Sequence, residues 1–152
     1  MDPNALNSML ERAGALCAAR SDPLTAARRQ VLGLVAAAER PIGAYELLRR
    51  LAQSGRPKAT PTTVYRALDF LLKHQLIHRI ESASAFVACE DLGTAHSAQF
   101  ILCDGCGVAT ELHDDGLTDS LNRLTQRLGY RVARQIIEVR GICPACQTIG
   151  TP

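Results

Sequence analysis

Cys103-Asp-Gly-Cys106 and Cys143-Pro-Ala-Cys146 are two short stretches that share the pattern Cys-x-x-Cys. Two thiolates at this spacing lie on one tight turn and can bind one side of a tetrahedral metal ion. A second pair supplies the other side, so the two stretches predict a closed site of four sulfur ligands, typical of structural zinc. Gly105 and Gly107 fit the first turn because glycine adopts positive φ values. We expect the chain from about Gln99 onward to fold around this site.

Disulfide bonds and redox chemistry are the two alternative interpretations of these cysteines. Residues 1–20 carry charges and have no uninterrupted apolar core, so they lack the pattern of a secretory signal. We therefore expect a cytoplasmic protein, in which thiols stay reduced and metal binding is favoured over disulfides. A redox motif would require only one pair, placed between a strand and a helix.

The composition is that of a globular chain with an uneven distribution of charge. The 152 residues are 47% hydrophobic and 21% charged. No apolar run approaches the roughly 20 residues that cross a bilayer, so we expect no membrane partner. Residues 1–82 carry 12 basic and 7 acidic side chains, whereas residues 83–152 carry 5 and 8. A basic first half beside an acidic second half predicts two domains, the first of which meets a polyanion.

The first half of the chain is predicted to be mainly helical. Apolar residues at helical spacing predict four helices, which begin near Asn4, Thr25, Ala44 and Thr60. The second is expected to end at residues 39–41. The fourth is the best defined, because Thr60 can cap it and its apolar residues recur at helical spacing. These residues are Val64, Ala67, Leu68, Leu71 and Leu72.

A β-hairpin is predicted directly after these helices. Residues 76–80 and 85–89 alternate as two strands around a turn, and helices followed by such a hairpin form the winged-helix arrangement of DNA-binding proteins. The polar start of the fourth helix suits the major groove, although an ordinary solvated face has the same pattern. The predicted base contacts are Tyr65 and Arg66, with Thr62 and Thr63 close by. The predicted phosphate contacts are Tyr45, Arg28, Arg56 and Lys58.

The second half is predicted to be a smaller unit that follows a hinge at residues 90–96. Strands are predicted at 99–102, 108–112 and 130–139, with one helix that opens at 115–117 and stops at Gly129. The predicted fold class is therefore α+β. It comprises a winged-helix DNA-binding domain at 1–89, the hinge, and a zinc-stabilised dimerisation domain at 97–152, built as a three-stranded sheet plus a helix. So small a core often needs both its metal and a partner subunit.

Four more side chains of metal-binding types lie around the predicted hinge: His78, Cys89, His96 and Glu111. As a set they could form a mixed nitrogen, sulfur and oxygen site joining the two domains, whereas any two of them alone would be unremarkable. The spacing leaves both interpretations open. Cys17, on an apolar helix face, is predicted to be a buried structural thiol, and His113 is predicted to be an exposed histidine.

Several motifs occur together in this chain, namely Ala44-Tyr45-Glu46-Leu47, Thr62-Thr63-Val64-Tyr65-Arg66-Ala67-Leu68, the hairpin and both cysteine pairs. With these motifs the chain resembles, over residues 25–152, the ferric uptake regulator (Fur) family of metal-sensing repressors. It departs from the family at Leu24-Thr25-Ala26-Ala27-Arg28, where Leu-Thr-Pro-Gln-Arg is common. Iron-sensing members carry a histidine cluster before the first cysteine pair. Here that stretch holds only His96, so the chain looks most like the zinc uptake regulators within the family.

This resemblance implies a second zinc ion. In the zinc uptake regulators a His and a Cys of the hairpin region, with a His and a Glu of the second domain, bind the sensory zinc. The matching positions are His78, Cys89, His96 and Glu111. A thiolate ligand also favours zinc over iron(II) or manganese(II). The expected cofactor is zinc, two ions per subunit, and low pH is expected to weaken sensing because the ligands bind metal only when deprotonated.

The sequence thus predicts a zinc-responsive transcriptional repressor of zinc uptake and homeostasis genes, which binds double-stranded operator DNA as a homodimer. Sensory zinc would fix the angle between the domains and hence the spacing of two recognition helices. We expect no catalytic residues and no small-molecule substrate, because the four-sulfur site looks closed and the His-Glu-x-x-His motif of zinc hydrolases does not occur. The alternatives are a zinc-stabilised protein-interaction module and a Fur-family regulator that senses iron, manganese or peroxide.

Overall fold

The computed structural model describes residues 2–54, 59–93, 96 and 98–149. For residue 149 it describes only the backbone. The chain divides into two compact units, unit 1 at Met1–Thr94 and unit 2 at Ala95–Pro152. This division falls within the segment 90–96 that is predicted to be a hinge, and the hinge role itself stays a prediction. Among the described residues, no helix combines the length and the apolar character needed to cross a membrane.

Unit 1 contains the four predicted helices, which are α1 (Pro3–Ala19), α2 (Ala26–Ala36), α3 (Ala44–Gln53) and α4 (Pro61–Lys73). The side chains of Asp2, Thr25 and Thr60 cap α1, α2 and α4 by accepting a hydrogen bond from a first-turn amide. Pro61 occupies the first helical position of α4, where no amide donor is needed. Helix α2 ends at Ala36, earlier than the predicted stop at residues 39–41.

A three-stranded antiparallel sheet completes unit 1 and contains the predicted hairpin. It consists of β1 (Ile42–Gly43), β2 (Ile77–Ile80) and β3 (Ala85–Ala88) in the order β1-β3-β2. Residues 81–84 form the turn between β2 and β3. Strand β1 is not predicted from the sequence, because two residues show no alternation and depend on their pairing with β3.

The apolar face of α4 packs into the core of unit 1. Its predicted core residues Val64, Ala67, Leu68 and Leu71 are buried, and Leu72 is partly buried. The other helices and the hairpin contribute further core side chains, among them Cys17, Val31, Leu32, Leu47, Leu51, Ile77 and Phe86. Fully burying one such aliphatic side chain contributes about 1.5–3 kcal/mol. Burial also raises the pKa of the Cys17 thiol, in agreement with the predicted buried structural thiol.

Unit 2 contains a second three-stranded sheet and two helices. Its elements are β4 (Gln99–Cys103), β5 (Ala109–Leu112), α5 (Asp115–Arg127), β6 (Ile137–Gly141) and α6 (Pro144–Ile149). The strand order is β5-β4-β6, in which β5 is antiparallel to β4 and β6 is parallel to β4. Parallel pairing places Cys103 opposite Gly141. The chain therefore leaves β4 and β6 at the same edge of the sheet, where one cysteine pair follows each strand.

Two predictions for unit 2 are wrong. The third strand begins at Ile137 and not at Tyr130. The amide of Tyr130 instead donates to the Thr125 carbonyl at 2.9 Å, and Gly129 has a φ of 76°, so this stretch closes the end of α5. Helix α6 is absent from the prediction, although it begins at Pro144 inside the second cysteine pair. Proline is favoured at the first helical position, but a six-residue helix carries no apolar repeat to detect.

Candidate metal centre and nucleic-acid interface

The four paired cysteines of unit 2 converge at the edge of its sheet. The sulfur atoms of Cys103, Cys106, Cys143 and Cys146 all lie within 4.8 Å of one another. The sulfur atoms of Cys106 and Cys143, from different pairs, are 3.8 Å apart. A tetrahedral zinc ion with Zn–S bonds of about 2.3 Å holds its sulfur ligands about 3.8 Å apart. The cluster therefore has dimensions that fit four-sulfur zinc coordination.

Two of the four thiols, Cys103 and Cys146, have pKa values shifted in opposite directions by their neighbours. The amides of Cys106 and Cys143 donate to the sulfur of Cys103 at 3.4 and 3.2 Å. These two hydrogen bonds lower the pKa of Cys103 to about 6, because they stabilise the thiolate. Contact with the Cys143 thiol and with its other sulfur neighbours raises the pKa of Cys146 to about 12. A bound metal ion would favour the thiolate form of all four.

Gly105 is required by a close contact, which corrects the sequence interpretation. A Cβ atom at Gly105 would lie 2.9 Å from the sulfur of Cys146. Positive φ is found at Gly107 (75°) and not at Gly105. Only Gly107 therefore needs the conformational freedom of glycine, whereas Gly105 leaves room for a sulfur atom of the other pair.

The first cysteine turn is also held against β6 by two residues that are not predicted to have this role. The amide of Asp104 donates to the carbonyl of Gly141 at 2.8 Å. The guanidinium of Arg140 donates from Nε to Asp104 Oδ1 at 2.8 Å, and a second hydrogen bond joins Nη2 to the same oxygen. These contacts link the chain at the end of β6 to the first cysteine pair. The place of Asp104 inside a Cys-x-x-Cys motif is its only local signal.

The four predicted sensor ligands are divided between the two units. In unit 1, His78 lies on β2 and Cys89 follows β3, and both are buried. The register pairs His78 with Val87, so Cys89, two residues further along, belongs to the same face of the hairpin. The amide of Cys89 donates to the carbonyl of Leu76 at 3.0 Å, which continues the hairpin pairing. A nitrogen and a sulfur ligand are thus available on one face.

Unit 2 supplies the other two predicted sensor ligands. Nε2 of His96 lies 2.7 Å from Oε1 of Glu111, which is buried on β5. The ring centroids of His96 and His113 are 5.8 Å apart. His113 lies beyond the end of β5 and is exposed, in agreement with the predicted exposed histidine. An imidazole and a carboxylate therefore lie within direct contact of each other in this unit.

The start of α4 presents polar side chains to solvent. Tyr65 is 49% exposed, Arg66 and Thr62 are exposed, and Val64 between them is buried in the core. Thr63 is half-buried, and its hydroxyl lies 3.1 Å from that of the capping Thr60. Tyr45, at the start of α3, is 82% exposed. The candidate DNA contacts on both helices are thus accessible.

Arg28, one of the predicted phosphate contacts, makes several contacts within unit 1. The Arg28 guanidinium donates to Asp22 at 3.3 Å and to the Pro23 carbonyl at 2.9 Å, and it lies 3.6 Å above the ring centroid of Phe70. These contacts favour a structural role for Arg28. Arg56 and Lys58 lie outside the described residues, so their roles stay predictions.

Comparison with known proteins places the chain in a family. The family model described as "Ferric uptake regulator family" matches residues 23–140. The chain belongs to this family. The motifs in the hairpin region, α4 and the cysteine pairs thus predict the family correctly. Membership also agrees with the expectation of a transcription regulator.

The similar proteins include zinc regulators. The chain is 38% identical to the zinc uptake regulation protein of Escherichia coli (strain K12) over 148 residues, which cover 96% of this chain and 85% of that protein. The structure described as "Zinc Uptake Regulator Complexed With Zinc AND DNA" is 35% identical, covers 95% of this chain and 96% of that one, and has a TM-score of 0.91. Holo XcZur is 40% identical, with coverages of 93% and 99% and a TM-score of 0.87. These likenesses confirm the α+β class and the predicted likeness to zinc uptake regulators.

Proposed function

We propose that this protein is a zinc-responsive transcriptional repressor that binds operator DNA as a homodimer and controls genes of zinc uptake and homeostasis. The observation that carries the proposal is its likeness, along almost the whole chain, to a zinc uptake regulator complexed with zinc and DNA. The accessible start of α4 and the cysteine cluster supply the two chemistries that such a regulator needs. A protein that acts on DNA and carries reduced thiols is expected to work in the cytoplasm.

The first proposed zinc ion is structural. Cys103, Cys106, Cys143 and Cys146 would saturate a tetrahedral ion and leave no position for a substrate. Because one cysteine pair follows β4 and the other follows β6, the ion would fasten two neighbouring strands of unit 2 at the same edge. Structural sites of this type contribute folding free energy directly, so unit 2 is expected to depend on the metal.

The second proposed zinc ion is the signal. Its ligands would be His78 and Cys89 from unit 1 with His96 and Glu111 from unit 2, which gives two zinc ions per subunit. One thiolate and one carboxylate would balance the charge of the ion, while two neutral imidazoles complete the coordination. An ion held by both units favours the arrangement in which the two ligand pairs meet, and it can thereby select the DNA-binding form. The buried positions of His78, Cys89 and Glu111 suit ligands of low solvent access.

The proposed DNA contacts lie at the starts of two helices. Tyr65 and Arg66 would contact base edges in the major groove, with Thr62 and Thr63 beside them. Tyr45 would contact a phosphate, as would Arg56 and Lys58. Arg28 would act on DNA indirectly, since its contacts support the packing of Phe70 on α4.

The homodimer is proposed to form through unit 2, where many large apolar side chains are exposed. Leu124, Leu128 and Tyr130 are 51%, 73% and 71% exposed. Further exposed apolar residues on the same unit are Leu117, Val132, Ile136, Val139 and Ile142. Exposed apolar side chains that cluster on one surface are typical of interfaces, and a second copy of unit 2 would remove these side chains from water.

Metal analysis tests the two zinc sites. Purified protein is dialysed against a moderate chelator, its zinc is counted, zinc is restored, and the count is repeated for wild type and Cys89→Ser. We expect one retained ion and one exchangeable ion per wild-type chain, with only the exchangeable ion lost in Cys89→Ser. Cys17→Ser is the matched control, because it changes a buried cysteine of the same unit that is not a proposed ligand. A single ion that is indifferent to Cys89 would contradict the sensor site.

DNA binding tests the role of α4. Arg66→Ala should weaken binding to a duplex selected by the zinc-loaded wild type by about 1–3 kcal/mol and relax sequence preference at one position. Arg123→Ala removes the same charge from an exposed position on α5 and is the matched control. Unchanged affinity in Arg66→Ala would remove this side chain from the interface. Repeating the measurement with iron(II) or manganese(II) distinguishes a regulator that senses another metal.

A further inference from the structure

A group of charged and aromatic side chains joins two turns of unit 1, one after α1 and the other after α4. The carboxylate of Asp22, in the first turn, lies 2.9 Å from Nε2 of His74, which ends α4. The His74 side chain is only 6% exposed, whereas that of Asp22 is 34% exposed, so water reaches the contact from the Asp22 side alone. Arg20, in the same turn as Asp22, donates from Nη1 to the His74 carbonyl at 3.1 Å. The two turns are therefore joined through both the ring and the backbone of one histidine.

Asp22 also contacts two cations. Lys73 Nζ lies 3.5 Å from its carboxylate, and Arg28 Nη1 lies 3.3 Å from it. The Phe70 ring stacks beneath the Arg28 guanidinium, and its centroid is 4.3 Å from that of the His74 ring. The hydrogen bond from His74, followed by the charge of Lys73, lowers the pKa of Asp22 below its ordinary value. One carboxylate thus contacts three side chains, two at the end of α4 and one on α2.

Both turns contain a backbone conformation that needs external support. Ser21 has a φ of 55° and Gln75 a φ of 56°. They are two of the three non-glycine residues with positive φ among the described residues, and each is adjacent in sequence to a member of the Asp22–His74 contact. Side chains with a Cβ atom disfavour this region, and such residues persist where surrounding contacts hold them. The hydrogen bonds between the turns are contacts of this kind.

We propose that Asp22 is a positioning residue for DNA recognition, which fixes the C-terminal end of α4 against the turn after α1. The inference rests on the proposed function, in which α4 presents Tyr65 and Arg66 to DNA. His74 lies about 14 Å from Tyr65 along the helix axis, so a tilt of about 10° at His74 moves Tyr65 by about 2 Å. That displacement breaks hydrogen bonds to base edges but leaves the charge attraction to phosphates. Loss of Asp22 should therefore lower sequence discrimination more than general DNA affinity.

The test compares the zinc-loaded full-length wild type with Asp22→Asn, which keeps the shape of the side chain and removes its charge. The probes are the duplex that the wild type selects from a random pool and a scrambled duplex of the same composition. We expect the ratio of the two affinities to fall about tenfold in Asp22→Asn at unchanged zinc content. Asp119→Asn makes the same chemical change at an exposed position on α5 and should keep the wild-type ratio.

Variants of His74 separate positioning from a general loss of stability. His74→Gln keeps a hydrogen-bond donor near the position of Nε2 and should retain the affinity ratio within about twofold. His74→Leu removes the donor and should lose as much discrimination as Asp22→Asn. A wild-type ratio in both Asp22→Asn and His74→Leu would overturn the inference.

Amide hydrogen exchange tests the same inference without DNA. We expect the amides of residues 72–77 to exchange faster in Asp22→Asn than in the wild type, at a temperature where both remain folded. Unchanged exchange in these residues would overturn the inference. If the wild type selects no duplex from the pool, the proposed function fails, and the role of Asp22 in DNA recognition fails with it. If the wild type selects a duplex and the variants discriminate equally well, only the inference about Asp22 fails.

Discussion

The two units of this protein differ in what holds them together. In unit 1 the apolar side chains of four helices and a hairpin are buried against one another, and Leu32, Leu68 and Leu71 are almost completely inaccessible. In unit 2 the buried apolar residues among those described are few, namely Phe100, Leu102 and Cys103, and α5 contributes none. Unit 1 has a core of its own, whereas unit 2 has a metal-binding cluster and exposed leucines. The comparison predicts that unit 1 is stabilised from within and unit 2 by its ligand and its partner.

The largest expected effect is the loss of unit 2 on removal of one thiolate. Cys103→Ser removes the ligand that also accepts two backbone hydrogen bonds. Structural zinc contributes an apparent binding free energy of about 10–16 kcal/mol in small zinc domains, so unit 2 should lose most of its protection from amide exchange. The amides of unit 1 should keep theirs. Exchange measured by mass spectrometry on peptides from each unit checks both statements.

Cys17→Ser makes the same substitution in unit 1, at a cysteine that is not a proposed metal ligand, so it should affect the other unit. It places a hydroxyl in the core of unit 1, where Cys17 is fully buried, and should weaken unit 1 by about 1–3 kcal/mol without loss of zinc. If Cys103→Ser leaves the exchange of unit 2 unchanged, the cysteine cluster does not hold that unit and the comparison fails.

A second pair of variants contrasts buried and exposed leucines. Leu71 is fully buried on α4, so Leu71→Ala should lower the free energy of unfolding by about 2–5 kcal/mol. Leu124, 51% exposed on α5, should instead weaken association of two chains, by about 1–2 kcal/mol if it lies in the core of the interface. Urea unfolding measures the first effect and sedimentation at several concentrations the second. A Leu124→Ala chain that dimerises as the wild type does would exclude the Leu124 side chain from the interface.

The sequence predicts the elements whose signals are local and misses those that depend on distant partners. Helix α4 is predicted because its cap, its proline and its apolar repeat lie within one stretch. The start of β6 is not, because the strand begins only where Ile137 pairs with Gln99 of β4. The stretch before it alternates in sequence, but Gln135 donates to Asn122 of α5 at 2.6 Å and lies outside the sheet.

The same distinction applies to the candidate sites. The four-cysteine cluster follows from two short motifs, because each pair is formed by residues close in sequence. The reason for Gly105 is missed, since its constraint is the sulfur of Cys146 from the other motif. The contact between Asp22 and His74 joins residues 52 positions apart, and no local pattern marks either of them. The sequence thus predicts which chemical groups come together within one motif. Contacts between residues of different motifs can be identified only from the three-dimensional structure.

The smallest predicted effect concerns a surface ion pair of unit 1. Glu46 on α3 accepts hydrogen bonds from Arg49 at 2.8 and 2.6 Å and from Arg50 at 2.7 Å, which lower its pKa to about 2. A carboxylate whose pKa is lower in the folded than in the unfolded chain stabilises the fold above its unfolded pKa, near 4.5. That contribution disappears as the pH falls toward 2. Wild type should therefore be slightly more stable than Glu46→Gln at pH 7, and the two should converge between about pH 4.5 and pH 2.

The difference in stability is measured by thermal unfolding, monitored through the amide exchange of peptides from unit 1. These peptides exclude unit 2, whose thiolates release metal in acid. Glu39→Gln is the matched control, because it makes the same chemical change at an exposed position just before β1. If the wild type is still more stable than Glu46→Gln at pH 2, then packing of the Glu46 side chain, and not its charge, stabilises α3. In that case the surface of unit 1, like its core, would be held by burial rather than by ion pairs.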